Sequence, residues 1–261
     1  ILMKHLTPIY DIANQFAQYT QTSIFITGNA GTGKTTFLRK LRSTTQKQIA
    51  VVAPTGVAAI NAGGVTIHSF FQLPFTPFVP TIEGEHNLMS KIKMTSMRRK
   101  VIQELELLVI DEISMVRADL LDEIDTVLRH IRYRKNLPFG GVQVIFIGDL
   151  YQLPPVVTPD VQETLAPYYE GFFFFNSKVI QQQPPTYIEF DTIFRQEDTH
   201  FIKLLNEVRL NQLSNESFEL LQQRYNPDYK INKEDNSILL TTHNAKAERI
   251  NDEELAKIKE V

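Results

Sequence analysis

A glycine-rich stretch near the N-terminus carries the clearest chemistry in this sequence. It reads Gly28-Asn29-Ala30-Gly31-Thr32-Gly33-Lys34-Thr35, is followed by Thr36, and fits the pattern G-x-x-x-x-G-K-[ST] without a mismatch. Glycines let backbone N–H groups turn around phosphate oxygens, and a helix N-terminus adds partial positive charge. We expect Lys34 to bridge the β- and γ-phosphates and the Thr35 hydroxyl to ligate Mg²⁺. The stretch predicts an ATP and Mg²⁺ site; the alternative is a glycine-rich turn that binds nothing.

Two further polar groups follow apolar runs and fit the same chemistry. Asp111 and Glu112 come directly after Leu107-Leu108-Val109-Ile110. We expect Asp111 to hold Mg²⁺ through water, and Glu112 to polarise the water that attacks the γ-phosphate. Gln152, in the run Gly148 to Pro155, is placed to reach the γ-phosphate and to report its loss. The alternatives are a solvated acidic turn and a proline-stiffened loop.

The elements around these residues predict an α/β fold. The glycine loop lies between an apolar strand, Ile24-Phe25-Ile26, and a helix that begins near Thr35. Further strands are predicted at 49–53, 107–110 and 142–147, and helices at 7–19, 57–62 and 120–131. Strands that alternate with helices and end in polar clusters indicate a parallel sheet with its site at the strand C-termini. The basic residues near position 132 are interpreted as helix capping and solvation.

Two segments divide this pattern. The proline-containing stretch from Leu73 to Lys100 shows no long periodic element, so we interpret residues 71–105 as an insertion outside the core. The run Gln181 to Pro185 resembles a linker. We therefore predict one domain at 1–183 and part of a second at 184–261. The second part is expected to hold strands near 187–190 and 238–242, and helices at 201–208 and 245–261.

Composition limits the possible functions. The chain has 261 residues, 43% of them hydrophobic, a net charge of −3 and no cysteine, which predicts a globular protein without disulfides or cysteine-bound zinc. No apolar run approaches membrane-spanning length, so we expect no membrane partner. Because the net charge is negative, nucleic acid must bind through local patches.

One further motif match does not predict function. The run Asn232 to Asp235 matches the guanine-reading N-K-x-D, but the glycine of D-x-x-G is missing after Asp111, so no GTPase is predicted.

Several blocks, taken together and in order, resemble the Pif-one family of superfamily-one DNA helicases. The resemblance covers nearly the whole chain, and the blocks that begin at Thr66 and Gly148 are specific to this group and its close relatives. The matching blocks are Gly28 to Thr35, Ala53 to Ala59, Thr66 to Phe71, Val109 to Met115, Gly148 to Pro155 and Ile193 to Gln196.

The resemblance implies a RecA-like ATP-driven motor that moves 5′ to 3′ on single-stranded DNA. It implies unwinding of single-strand/duplex junctions and G-quadruplexes by a monomer, in repair, recombination, replication or telomere maintenance. The insertion would be a separating wedge, and the start of a second RecA-like domain would carry Arg195, which joins Lys34, Glu112 and Gln152 as a catalytic residue. The residues implied to contact DNA are Pro54, Thr55, Gly56, His68, Ser69, Phe70, Thr241, Thr242, His243 and Asn244.

The sequence departs from the family in two places, and some readings stay open. The family's adenine-reading glutamine is absent around Tyr10 and Asp11, where Asn14 or Gln15 are possible substitutes. The late motifs are missing, so this piece alone should not translocate.

The alternative functions are those of a RecD-like or conjugative relaxase-type helicase, and of a nucleotide-gated DNA-binding module with little turnover. For Arg195 the alternative is a salt bridge to Asp149. The expected location is the cytoplasm of a bacterium or phage host, or the nucleus or mitochondrion of a eukaryote.

Overall fold

The computed structural model describes residues 8–194, 198–229 and 238–257. The chain forms two compact units, Ile1–Gln212 and Leu213–Val261. This division lies beyond the boundary predicted after residue 183. The strand predicted to open the second domain belongs to the sheet of the first unit, because its backbone pairs along its whole length with the strand that precedes the glycine loop. The assignment of the chain to a first and a second motor domain stays a prediction.

The first unit contains a six-stranded parallel sheet. Its strand order is β3-β2-β4-β5-β1-β6, and every pairing between neighbours is parallel. The predicted parallel sheet is therefore confirmed. The strands are β1 (Ile24–Gly28), β2 (Ile49–Ala53), β3 (Val65–Thr66), β4 (Leu107–Ile110), β5 (Gln143–Ile147) and β6 (Thr186–Phe190).

Twelve helices are present in the described ranges. The longest, α7, has 14 residues, and none of the helices in these ranges is both long and apolar enough to cross a membrane. The helices are α1 (Pro8–Tyr19), α2 (Lys34–Thr44), α3 (Gly56–Ala62), α4 (Ile67–Phe71), α5 (Ile82–Lys91), α6 (Ser96–Glu104), α7 (Ala118–Ile131), α8 (Pro159–Leu165), α9 (Lys178–Gln182), α10 (Thr199–Arg209), α11 (Asn215–Gln222) and α12 (Asn244–Leu255).

Apolar residues cover both faces of the sheet, which explains why β1, β4 and β5 are buried along their whole length. Successive side chains of a strand point to opposite faces, so Ile24 and Ile26 lie in one hydrophobic cluster and Phe25 lies in the other. Helices α1 and α2 contribute to the first cluster, and α7 contributes to the second. The sheet is thus held between two helical layers, and the ends of its strands are fixed in space.

The expectation that residues 71–105 lie outside the core is wrong, while their assignment as an inserted subdomain stays a prediction. This segment forms α5 and α6, whose N-termini are capped by the hydroxyls of Thr81 and Thr95. Leu88 and Ile102 are buried in the same hydrophobic cluster as α7. Both helices are short, so their apolar residues do not form a clear helical pattern in the sequence. Their role becomes clear from the surface of α7 that they face. Whether this segment separates DNA strands stays a prediction.

The second unit contains α11 and α12. The prediction of a strand at Ile238 to Thr242 is wrong: these residues do not form a strand, and Ile238 and Leu240 have 86% and 88% of their surface exposed. An apolar run forms a strand only where a neighbouring backbone accepts its hydrogen bonds, and the described part of this unit offers none. The helix predicted from Ala245 begins at Asn244. The polar run Asn232 to Asp235 lies outside the described residues.

Candidate nucleotide site and nucleic-acid interface

The glycine loop has the backbone that phosphate binding needs. Gly33 has a φ of 94°, in the left-handed region, and α2 begins at the next residue without a side-chain cap on its N-terminus. Gly28 ends β1, and a Cβ atom there would lie 2.2 Å from the carbonyl oxygen of Phe190. The uncapped N–H groups and the helix dipole make this turn suitable for an anion.

Lys34 lies over the loop that contains it. Its Nζ donates to the carbonyl oxygens of Gly28 at 2.6 Å and Asn29 at 3.0 Å. Burial lowers the pKa of Lys34, and the negative charges of Asp149, Glu112 and Asp111 oppose this shift. Lys34 and the predicted acidic pair Asp111–Glu112 therefore lie within electrostatic reach of one another at the C-terminal edge of the sheet, and Asp149 lies within reach of Lys34 as well.

The acidic pair follows β4 directly. The N–H of Asp111 donates to the carbonyl of Val52 in β2, and its Oδ1 accepts the N–H of Glu112 at 3.0 Å. Glu112 itself has a φ of 53°, which turns the chain sharply into a short 3-10 helix. Burial raises the pKa of Asp111 to about 6. This turn places both carboxyl groups at the end of the strand beside Lys34.

The donor set around the loop fits Mg²⁺. The hydroxyls of Thr35 and Thr36 belong to exposed residues, and the Asp111 and Glu112 carboxyl groups supply further oxygen atoms. Among the residues that the structure describes, no three His, Cys, Asp or Glu side chains cluster as a preformed metal site. In proteins, Mg²⁺ keeps several waters and is usually bound by one or two side chains plus substrate phosphates.

Gln152 lies just beyond β5, where its amide is held by a buried acid. Its Nε2 donates to Oδ2 of Asp149 at 3.2 Å, and Asp149 has only 2% of its surface exposed. Asp149 also accepts two hydrogen bonds from Arg209, at 2.8 and 3.2 Å. From the sequence, Asp149 is expected only as an alternative partner of Arg195. Arg195 lies outside the described residues, and the described partner is Arg209.

Three residues at this site were missed from sequence. The N–H of Phe194 donates to the carbonyl of Gly31 at 2.9 Å. Asn29 Nδ2 donates to Oδ1 of Asn206 at 3.0 Å, and Arg209 reaches Asp149 from the same helix, α10. The available signal was the spacing of three between Asn206 and Arg209, which puts polar side chains on one helix face. Their partners lie far away in sequence, so that spacing alone did not identify them.

The first predicted DNA-contacting group follows β2 and β3, which are neighbours in the sheet. Pro54, Thr55 and Gly56 lead into α3, where Thr55 Oγ1 accepts the N–H of Ala58, and the space beside Gly56 is open. His68 is half-buried and stacks on Phe75, with ring centroids 4.7 Å apart. Burial and the positive charge of Arg117 lower the pKa of His68. This pair presents an aromatic surface beside the strand ends.

The backbone around the same group is held by an arginine. Arg98, from α6, donates to the carbonyl of Ser69 and, at 3.5 Å, to that of Phe70. Phe70 is partly buried and its ring packs edge-on against Phe71. Ser69 is exposed and Phe70 is not, so only part of this block is available to a ligand.

The second predicted DNA-contacting group lies in the second unit. Thr241, Thr242 and His243 precede α12, and Asn244 is its first residue. Thr242 Oγ1 and His243 Nδ1 lie 2.9 Å apart, and the backbone N–H of His243 donates to Thr241 Oγ1 at 3.4 Å. All of these residues except the partly exposed Thr241 are exposed. The group forms a polar, locally ordered turn.

Comparisons with known proteins identify the chain's relatives. Residues 2–218 match the family model described as PIF1-like helicase. ATP-dependent DNA helicase PIF1 of Candida albicans is 41% identical over 194 residues, which cover 72% of this chain and 21% of that protein. The human protein of the same name is 39% identical over 204 residues, covering 77% of this chain and 29% of its own length. The chain thus spans less than a third of these relatives.

Solved structures give the same result. The Pif1 helicase from Bacteroides in complex with ADP-AlF3 and single-stranded DNA is 40% identical, with a TM-score of 0.88, and the match covers 98% of this chain and 58% of that one. The Pif1 helicase from Candida albicans is 31% identical, with a TM-score of 0.77, and covers 99% of this chain and 56% of its own. The fold of the first unit is RecA-like, and the chain belongs to the PIF1-like helicase family.

Proposed function

We propose that this protein is an ATP-dependent DNA helicase that moves 5′ to 3′ along single-stranded DNA. The observation that carries the proposal is the convergence of Lys34, the acidic pair and the Asp149–Gln152 turn at one edge of a RecA-like sheet. The helicase names of the relatives support it, and so does the Bacteroides complex with ADP-AlF3 and single-stranded DNA.

The residues at the strand ends have distinct parts in hydrolysis. Lys34 and the uncapped N–H groups of α2 hold the β- and γ-phosphates. The Thr35 hydroxyl and Asp111 would hold Mg²⁺, which would supply positive charge beside the phosphate oxygens. Glu112 positions and polarises the attacking water. Gln152 contacts the γ-phosphate or that water, so its surroundings change when phosphate leaves.

The DNA strand follows the first group of predicted contacts, from Pro54 to Gly56 and from His68 to Phe70. The exposed face of Phe75 adds a stacking surface to His68, and base–aromatic stacking contributes about 1–3 kcal/mol per base. We also propose that the turn from Thr241 to Asn244 contacts DNA. We further propose activity on single-strand/duplex junctions and G-quadruplexes as a monomer, in the bacterial cytoplasm or, in a eukaryote, the nucleus or mitochondrion.

The proposal is tested on the full-length protein that contains this sequence. ATP hydrolysis is measured with and without single-stranded DNA, and unwinding is measured on forks with only a 5′ or only a 3′ single-stranded tail. We expect stimulation by single-stranded DNA and unwinding from the 5′ tail, both lost in Lys34→Ala. DNA-independent hydrolysis, or unwinding from the 3′ tail alone, would contradict the proposal. Unwinding of a G-quadruplex substrate tests the proposed activity on that structure, and the molar mass in solution tests the proposed monomer.

A further inference from the structure

Arg209 forms a two-point contact with a buried carboxylate at the nucleotide site. Its Nη2 lies 2.8 Å from Oδ1 of Asp149, and its Nε lies 3.2 Å from Oδ2. The same guanidinium lies over the ring of Tyr151, with its Cζ 4.2 Å from the ring centroid. Because a guanidinium is planar and rigid, these contacts fix both its position and its tilt.

Asp149 connects this guanidinium to Gln152. Besides the bonds from Arg209, the carboxylate accepts the N–H of Tyr151 at 3.1 Å and the amide of Gln152 at 3.2 Å. Burial raises the pKa of Asp149, but the bonds from Arg209, Tyr151 and Gln152 outweigh it and hold the pKa below its usual range. The orientation of Gln152 therefore depends on an ionised Asp149, and Asp149 depends on Arg209.

The helix that carries Arg209 also contacts the phosphate loop. Asn206, one turn earlier on α10, accepts a hydrogen bond from Asn29 at 3.0 Å. Asp149 and Arg209 both act electrostatically on Lys34. One face of α10 thus touches the loop expected to hold the phosphates and, through Asp149, the glutamine expected to respond to the γ-phosphate.

We propose that Arg209 is a positioning residue for ATP hydrolysis: through Asp149 it orients the amide of Gln152, and through α10 it links that amide to the phosphate loop. This inference rests on the proposed ATPase activity. Arg209 does not need to touch the nucleotide, since its contacts are to Asp149 and Tyr151. A movement of α10 would shift Gln152 and Asn29 together, so the helix couples the two sides of the site.

The competing interpretation is that Arg209 only stabilises the fold by neutralising a buried charge. Removing Arg209 alone leaves Asp149 buried and unpaired, which by itself destabilises a protein. The double variant Asp149→Asn/Arg209→Gln removes that charge as well, and we expect it to unfold at a temperature close to that of the wild type. If Arg209 positions Gln152, hydrolysis stays slow in this stable double variant. Recovery of the wild-type rate there would overturn the inference.

A double-variant cycle with Gln152 tests the connection directly. In the full-length protein, Arg209→Gln should lower kcat for DNA-stimulated ATP hydrolysis by on the order of 10²-fold, the usual effect of a small misplacement at a reacting centre. Affinity for a fluorescent ADP analogue should change by less than about threefold, because the phosphate loop stays intact. In a Gln152→Ala background, Arg209→Gln should lower kcat by less than about a further twofold, since both changes disable the same group. Additive effects would contradict action through Gln152.

Two controls complete the experiment. Arg209→Lys keeps the charge but loses the planar two-point contact, so it should resemble Arg209→Gln in kcat and not the wild type. Lys203→Gln removes a positive charge from a half-exposed side chain on the same helix and should hydrolyse ATP at the wild-type rate. If the wild-type protein hydrolyses no ATP, the proposed function fails. If it does and Arg209→Gln matches it, only this inference fails.

Discussion

The ammonium nitrogen of Lys34 lies 2.6 Å from the carbonyl oxygen of Gly28, the first residue of the phosphate loop. A second bond, to the carbonyl of Asn29 at 3.0 Å, fixes the side chain across the loop that it closes. Burial lowers the pKa of Lys34, while Asp149, Glu112 and Asp111 supply compensating negative charge. A cation held in this way needs little reorganisation to meet the oxygens of the β- and γ-phosphates.

Lys34→Ala should remove most of the nucleotide affinity and all measurable hydrolysis, because the loop loses its only side-chain cation. Binding is measured with a fluorescent ATP analogue, and turnover by phosphate release. Arg39→Ala changes an exposed cation on the same helix and serves as the control. Undiminished turnover in Lys34→Ala would refute the assignment of the loop.

Glu112→Gln should leave ATP binding intact and slow hydrolysis by roughly 10²- to 10⁴-fold, the usual contribution of a positioned base. Glutamine has the same shape and tolerates the same left-handed backbone, whose φ is 53° here, so the turn after β4 should persist. Nucleotide affinity and single-turnover hydrolysis are measured in parallel. If both fall together, Glu112 holds the metal or the fold and is not the base.

The sequence predicted the parts of this molecule that are determined locally. The strands β1, β2 and β4 and the glycine loop follow from short apolar runs and turn residues, and the structure places them where expected. Contacts made between distant segments were not predictable in this way. Arg132, interpreted as a helix-end cation, donates to the carbonyls of Ile102, Gln103 and Leu105 at 2.9, 2.7 and 2.7 Å.

The same limit applies to the run from Gln181 to Pro185, which was predicted to be a linker. Gln181 and Gln182 form the last turn of α9, and the prolines after them lead into β6, which pairs with β1 in the first sheet. A proline-containing run looks the same whether it joins two domains or two elements of one sheet. Whether β6 belongs to the first sheet depends on the strand with which it pairs. That strand, β1, lies more than a hundred residues earlier.

Glu123 provides a test of stability against pH. It is 2% exposed, and its Oε1 has no hydrogen-bond partner in the described part of the chain. Burial and then the negative charge of Asp119 raise its pKa from 4.5 to about 8, opposed by Arg117 and Lys91. In the unfolded chain the carboxyl ionises near its ordinary pKa, so between these two values the folded state binds more protons than the unfolded state.

The unfolding free energy that is linked to the raised pKa of Glu123 is therefore fully present below about pH 4.5. It is lost as the pH rises towards 8, by about 1.4 kcal/mol per pH unit. We expect Glu123→Gln, which keeps the shape of the neutral acid, to show a flatter dependence of unfolding free energy on pH across this window. Urea unfolding at several pH values measures it, and the exposed Glu104→Gln is the control. Parallel curves for Glu123→Gln and the wild type would mean that Glu123 is ionised in the folded protein.

Arg195 follows directly on a residue that is fixed to the phosphate loop. The N–H of Phe194 donates to the carbonyl of Gly31 at 2.9 Å, and the Phe194 ring lies 3.7 Å from where a Cβ of Gly33 would be. The alternative partner for Arg195, Asp149, already accepts bonds from Arg209, Tyr151 and Gln152, so it offers little further capacity. Arg195 itself lies outside the described residues, so its pairing with the γ-phosphate stays a prediction.

In the full-length protein, Arg195→Ala should slow DNA-stimulated hydrolysis by on the order of 10³-fold or more, while ATP affinity changes little, because an arginine finger acts mainly on the charge of the transition state. Arg195→Lys should recover little of this loss, since an ammonium is a point charge and cannot make a planar two-point contact with phosphate oxygens. The exposed Arg224→Ala is the matched control. Wild-type hydrolysis in Arg195→Ala would show that the segment after β6 does not complete the active site, and equal losses of affinity and turnover would assign Arg195 to nucleotide binding.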